Sequence, residues 1–316
     1  MLVPYETQDS VLAGLSDLAR EFAENARSQA TARAYEHDLK AFCSWCRDRG
    51  LTCLPASAET VSLYAAWCAE RYKPATIGRR LASVSVAHSS VGYENPCAHG
   101  VVKAVLRGIR RAKGTAQTRK TALPVDDLRK LVATIEDDLL IGVRDRALLL
   151  LGFASALRRS ELVGLDFGDV RFDDTGVILT IRKSKTDQES HGDEVNVMPG
   201  SDLCPVRALL AWLEASGITE GPLFRGMDRH GNVRATRLTE RIVAAIVKQY
   251  AARAGFDPAG FGGHSLRSGF ATSAARAGKS EASIMRQTRH KSLTVARRYI
   301  REGSRWKDHA ASGIGL

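Results

Sequence analysis

The chain has 316 residues, 44% of them apolar, which is long for one hydrophobic core and ample for two. Lys and Arg exceed Asp and Glu by 11, and the sequence pI is about 9.6, so a polyanionic partner is expected. No apolar run approaches the roughly 20 residues that span a bilayer, and the opening MLVPYETQDS does not lead a basic stretch into an apolar one, so neither a membrane protein nor a signal peptide is expected.

A weak helical pattern over 11–26 comes first. Ser28 and Thr31 can then cap a helix in which Tyr35, Leu39, Phe42 and Cys46 recur every three or four residues and share one face. Gly50 ends it. A second helix after Pro55 turns Val61, Tyr64, Ala65 and Cys68 inward. A third opens at Lys73 and Pro74 and runs through Leu81, Val84 and His88, and a fourth carries Val101, Val105 and Ile109. Residues 1–111 thus read as a small helical bundle. Of the six cysteines, Cys43 and Cys46 form a CxxC, but no second pair and no spaced His pair completes a zinc set. Reduced cysteines packed between helices, in a reducing cytoplasm, are expected.

Between Asn95 and Val125 no acidic residue occurs, whereas Lys103, Arg107, Arg110, Arg111, Lys113, Arg119 and Lys120 do. Cations without counter-charge over such a stretch point to phosphate contact. Residues 112–121 lack apolar periodicity and read as a basic linker. A second domain, 122–316, begins with helical patterns over 125–135 and 144–154. Alternation then marks strands over 170–172, 177–182 and 194–198, joined by the tight turn DDTG and the longer polar KSKTDQESHGDE. After Cys204 the pattern is helical to about Arg305. The fold class is mainly α with a small antiparallel β-sheet (α+β).

Several strings in this domain carry chemistry. In GGHSLRSGFATSAARAG, His264 and Arg267 lie three apart at a helix start and can face one anion. In RQTRHKSLTVARRYI, His290 precedes Tyr299 by nine residues. Arg297, Arg298 and Arg301 surround that tyrosine in sequence, and cations favour a phenolate nucleophile. In SALRRSELVGLDFGDV, Arg158 and Glu161 are three apart at the entry to a short helix. Lys185 lies in the polar strand-to-strand turn. Each string alone fits an ordinary surface helix or turn.

Taken in order, Arg158, Lys185, His264-x-x-Arg267, His290 and Tyr299 resemble the tyrosine recombinase (phage integrase) family, in its Cre-like branch. ALRRSEL resembles the family's first-arginine box, GHSLRSGFATSAARAG its HxxR box, and HKSLTVARRYI its nucleophile box. TARAYEHDLKAFCSWC resembles the start of its N-terminal helical core-binding domain. Arg289 departs from the pattern, since many members have Gly before the second-motif histidine. The resemblance implies a core-binding domain followed by a tyrosine recombinase catalytic domain. It implies site-specific cleavage and rejoining of double-stranded DNA through a 3′-phosphotyrosine, with Tyr299 as nucleophile. Arg158 and Arg267 are then the clamp on the non-bridging oxygens, Lys185 the general acid and His264 the proton-handling histidine. His290 bonds the phosphate, and Glu161 supports the pocket.

No metal or other cofactor is expected, which the lack of a clustered carboxylate set fits. Arg79, Arg80, Arg107, Arg110, Arg111 and Lys113 are expected on phosphates. Arg241, on a basic amphipathic helix over 237–255, is expected in the major groove. The family implies four protomers on two inverted-repeat sites, closed around duplex DNA like a C-shaped clamp, in the bacterial cytoplasm at the nucleoid. Trp306 and Ile314, apolar residues on a polar tail beyond Gly303, are expected to dock on a neighbouring protomer. Two other readings remain open on the sequence: type IB topoisomerase-like relaxation with the same residues, and a non-catalytic DNA-binding architectural protein.

Overall fold

The computed structural model describes residues 28–116, 120–182, 192–290 and 292–303, with isolated positions between 12 and 22. The expected helix over 11–26, Lys185, Arg119 and the tail from 304 onward lie largely or wholly outside the described residues. The chain divides into two compact units, Met1–Thr118 and Arg119–Leu316. No described helix is long and apolar enough to cross a membrane.

The first unit is helical: α1 (Gln29–Arg47), α2 (Ala58–Arg71), α3 (Pro74–Ser90) and α4 (Gly100–Lys113). Side-chain caps open three of them, His99 Nδ1 accepting from the Val101 N–H at the start of α4. Ser28 Oγ accepts from the Thr31 N–H, and Ser57 Oγ from the Thr60 N–H. Pro74 starts α3, where a missing N–H costs nothing. The inward faces bury Phe42, Cys46, Val61, Tyr64, Ala65, Cys68, Ile77 and Val84 completely. Tyr64 sits between Phe42 and Trp45, with ring centroids 4.8 and 5.1 Å away.

One expectation for this unit is corrected. Cys43 and Cys53 form a disulfide, where reduced cysteines were expected. The turn after α1 doubles the chain back and leaves their Cα atoms 5.1 Å apart, within bridging range. The other four described cysteines are free.

The second unit opens with a segment anchored near Gly260, well over a hundred residues later in the same unit. Lys120 Nζ donates to the Ala259 carbonyl (2.6 Å), and the Thr121 N–H to that of Gly260 (2.8 Å). Helices α5 (Val125–Val132), α6 (Leu140–Ala154) and α7 (Arg159–Gly164) come next, with α6 apolar around its circumference and buried accordingly. An antiparallel sheet of order β1-β2-β3 succeeds them: β1 (Val170–Asp173), β2 (Gly176–Ile181) and β3 (Asp193–Val197). Val177 faces Val197 and Leu179 faces Val195, so alternate residues enter the core.

After α8 (Pro205–Ser216) the chain is not purely helical, as its pattern implied. It forms a hairpin, β4 (Arg225–Met227) and β5 (Val233–Arg237), before α9 (Glu240–Arg253). Asp228 ties the hairpin turn by accepting from the N–H groups of His230 and Asn232. Helices α10 (His264–Arg276), α11 (Glu281–Thr288) and α12 (Leu293–Gly303) complete the described unit. The core gathers Leu148, Leu149, Leu151, Trp212, Phe224, Val243 and Val247, and Trp212 Nε1 donates to the Leu223 carbonyl.

Candidate active site

The site is assembled from the ends of short elements, where backbone and side-chain groups are not committed to a helix or sheet. Arg158 sits at the N-terminus of α7. Its own N–H donates to Glu161 Oε2 (2.8 Å), and its Nη1 donates to Oε1 (2.6 Å). One carboxylate therefore caps the six-residue helix and holds the guanidinium. Glu161 is 1% exposed and Arg158 19% exposed at the side chain, so solvent screens this pair little.

His264 and Arg267 occupy the first turn of α10, as their spacing predicts. The helix is pinned there because the chain at Leu123 crosses it. A Cβ on Gly269 would stand 1.8 Å from the Leu123 carbonyl oxygen, which only a glycine permits. Arg267 is 1% exposed, and its Nη1 donates to the Ala156 carbonyl (2.7 Å). Ala156 adopts φ 50, a left-handed conformation unusual for a residue with a Cβ, in the turn from α6 to Arg158. Arg267 Nη2 is buried with no hydrogen-bond partner among the described residues. Burial, reinforced by Arg158, lowers the Arg267 guanidinium to about 10, so it remains charged at neutral pH.

Tyr299 lies on α12. Its hydroxyl is 2.9 Å from His264 Nε2, and its ring stacks on His290 with centroids 5.8 Å apart. Helix α12 presses closely on α10 because Gly303 has no side chain. A Cβ there would come within 2.5 Å of the Thr272 carbonyl oxygen. The expected cationic neighbourhood does not come from the tyrosine's own helix. Arg297 pairs with Glu281 (3.0 Å), while Arg298 and Arg301 face solvent.

Both histidines are held towards their neutral forms. His264 meets solvent along one edge, yet burial, then Arg267, Arg158 and Arg159, lower it below its ordinary value. Burial, then Arg267, Arg158 and His264, lower His290 to about 4. Thr288 fixes the His290 tautomer. Its hydroxyl donates to the Ile284 carbonyl (2.7 Å), so its oxygen can only accept from His290 Nδ1–H, also at 2.7 Å. Nε2 is then the uncommitted ring nitrogen.

Sequence reasoning missed Thr288, Ala156 and the partners of Arg289. The signal present was the polar run QTRH before the second histidine. Gln287 Nε2 reaches the carbonyls of Ala154 and Asn196 (2.9 Å each), which ties α11 to α6 and β3.

The expected DNA-contacting cations separate into two groups. Arg107, Arg110, Arg111 and Lys113 are exposed along α4, and Arg241 is exposed on α9. Arg110 and Lys113 line a cleft with Arg71. Arg80 is a correction. It is 7% exposed, its Nη1 donates to Tyr64 Oη (2.8 Å), and its guanidinium lies 4.2 Å from the Tyr72 ring. With Arg79 it flanks Asp38, a fully buried carboxylate. Arg79 is half-exposed and lies 2.6 Å from that carboxylate, so its charge is partly matched within the fold. Arg237 is likewise not on the basic helix. It ends β5 and donates to the carbonyls of Val163 and Leu165.

A tyrosine hydroxyl bonded to an imidazole, near the buried guanidinium of Arg267 and the half-buried one of Arg158, is chemically suited to attack on an anionic ester. The chain belongs to the phage integrase family, whose pattern matches residues 121–304, with the phage integrase N-terminal SAM-like domain at 20–89. An integrase/recombinase XerD homolog from Selenomonas ruminantium is 42% identical over 301 residues, covering 94% of this chain and 88% of that protein. Recombinase Cre of Escherichia phage P1 is 26% identical over 314 residues, covering 93% and 90%. The crystal structure of a lambda integrase dimer bound to a COC′ core site shares the fold, with a TM-score of 0.62 at 18% identity over 93% of this chain and 96% of that one.

Proposed function

We propose that the protein is a site-specific recombinase that cuts and rejoins duplex DNA through Tyr299. The hydrogen bond of 2.9 Å between the Tyr299 hydroxyl and His264 Nε2 carries this reading, because it supplies a nucleophile with its proton acceptor already in place. Tyr299 Oη attacks the scissile phosphorus and His264 takes its proton. Charge accumulates on the non-bridging oxygens, where Arg158 and Arg267 stabilise it; the unused Nη2 of Arg267 is a donor available for that purpose. The bond to the 5′-oxygen breaks and Lys185 protonates it, which leaves a 3′-phosphotyrosine and a 5′-hydroxyl. His290 bonds the phosphate. A 5′-hydroxyl from a second strand reverses the step, so neither ATP nor a metal ion is consumed or required.

The first unit and the basic face of α4 hold the DNA backbone, and Arg241 reads a base in the major groove. Four protomers act on two inverted-repeat sites, in the cytoplasm at the nucleoid. A nicked duplex that traps the covalent intermediate tests the reading on a denaturing gel. Wild-type protein is expected to yield an adduct in the presence of EDTA. Tyr299→Phe is expected to bind the same DNA and form none. An adduct with the Phe variant would refute the assignment, and relaxation of any supercoiled plasmid without a site requirement would favour a topoisomerase.

A further inference from the structure

Arg289 occupies a position where its residue type is unfavourable. It ends α11 with φ 52 and ψ 44, a left-handed conformation that a glycine adopts freely and an arginine does not. Its side chain is nevertheless 9% exposed. Arg289 Nη2 lies 2.5 Å from Glu161 Oε2, and Nε lies 3.7 Å from Asp193 Oδ2 at the first residue of β3. Glu161 thus stands between two guanidiniums. Arg158 takes Oε1 through Nη1, while Oε2 accepts the Arg158 backbone N–H and also lies against Arg289 Nη2.

The division of the carboxylate matters for the clamp. An isolated arginine–carboxylate pair prefers the two-pronged arrangement, in which both oxygens engage the guanidinium. With Oε2 shared between the Arg158 backbone N–H and Arg289, the Arg158 side chain is held through Nη1 alone among the described residues, and its other donors are left for a phosphate. We propose that Arg289 is a positioning residue for DNA cleavage, which occupies one oxygen of Glu161 and so keeps the Arg158 guanidinium from folding onto that carboxylate. The assignment rests on the recombinase reading above and adds to it a residue at which this chain departs from the family pattern. It also explains why an arginine is kept where the backbone favours glycine.

The test uses the full chain and a nicked duplex carrying the sequence that wild-type protein selects from random DNA. Arg289→Gly and Arg289→Asn both suit a left-handed backbone, so both are expected to fold and to bind the duplex as wild type does. Single-turnover cleavage is expected to slow by about 10- to 100-fold, the usual effect of losing a group that orients a functional side chain. Arg289→Lys restores a cation near Oε2 and is expected to recover part of the rate. On a duplex whose scissile phosphate is a neutral methylphosphonate, which needs no charge clamp, the difference between wild type and Arg289→Gly is expected to shrink. In a Glu161→Gln background, Arg289→Gly is expected to add little. Equal cleavage by wild type and Arg289→Gly overturns the proposal. So does an equal slowing on the methylphosphonate duplex, or a full multiplication of the two substitutions' effects, which would mean that Arg289 acts independently of Glu161. Absence of any adduct with wild type overturns the recombinase reading, and this inference with it.

Discussion

His290 shows how a buried imidazole links the site to pH. Its folded value of about 4 lies below the ordinary 6.5, because burial and the nearby Arg267 and Arg158 disfavour the charged ring. As pH falls from 6.5 towards 4, the unfolded chain binds this proton before the folded one does. The contribution to stability is therefore intact above 6.5 and declines as pH drops through that window. Thermal melts are expected to show a steeper loss for wild type than for His290→Gln across it, and parallel curves would contradict the assignment. Activity takes the same direction at His264. In the proposed reaction its neutral form accepts the Tyr299 proton, and its lowered value keeps that form available below the ordinary histidine range. Single-turnover cleavage should hold to mildly acidic pH and fall only beneath it.

At the scale of elements, α3 and α4 both carry arginines but use them differently. Helix α4 turns Arg107, Arg110 and Arg111 to solvent, where each can meet a phosphate. Replacing any one with Ala is expected to weaken binding to all sequences and to reduce the salt slope by about 0.9. Helix α3 turns Arg80 inward against Tyr64, Tyr72 and Asp38. Arg80→Ala leaves the buried Asp38 with Arg79 as its remaining close cation, so it is expected to cost roughly 3 kcal/mol in urea unfolding and to leave the salt slope of the folded fraction unchanged. A normal melt with a reduced slope would return Arg80 to the phosphate contacts. The short hairpin of β4 and β5 was not legible for a related reason. Strand β4 is half-buried throughout and β5 is exposed after its first residue, so no alternation marks them.

At the scale of the molecule, Gly303 closes the described part of α12 against Thr272 on α10. Trp306 and Ile314 lie outside the described residues, and trans docking of this tail remains our proposal from its apolar content. Deletion of 304–316 is expected to leave one protomer able to bind a half-site, while cooperative filling of the full site weakens and strand exchange stops. Gel shifts and a recombination assay with two-site plasmids measure both. Normal recombination by the truncated protein would exclude docking in trans.

The order Arg158, His264, Arg267, His290 and Tyr299, the four-helix pattern of the first unit and the alternation of β1 to β3 were all readable in the sequence. Local periodicity and short spacings are properties of neighbours along the chain, and residues three apart at a helix start face one way whatever surrounds them. Contacts between distant segments are not such properties. No spacing announces that Arg297 turns to Glu281 on α11, or that α12 packs on α10 through Gly303 and sets Tyr299 against His264. Nor does the string IGRRL distinguish an arginine on the surface from one buried over Asp38. The Cys43–Cys53 bridge required a turn whose path the cysteine spacing leaves open. Arg289 is the clearest case. In sequence it is a departure from a family pattern beside a histidine, and only the fold brings Glu161 from α7 and Asp193 from β3 to its guanidinium. Tertiary structure decided these pairings because a charge that leaves water must find its partner in space, and that partner is seldom a neighbour in the chain.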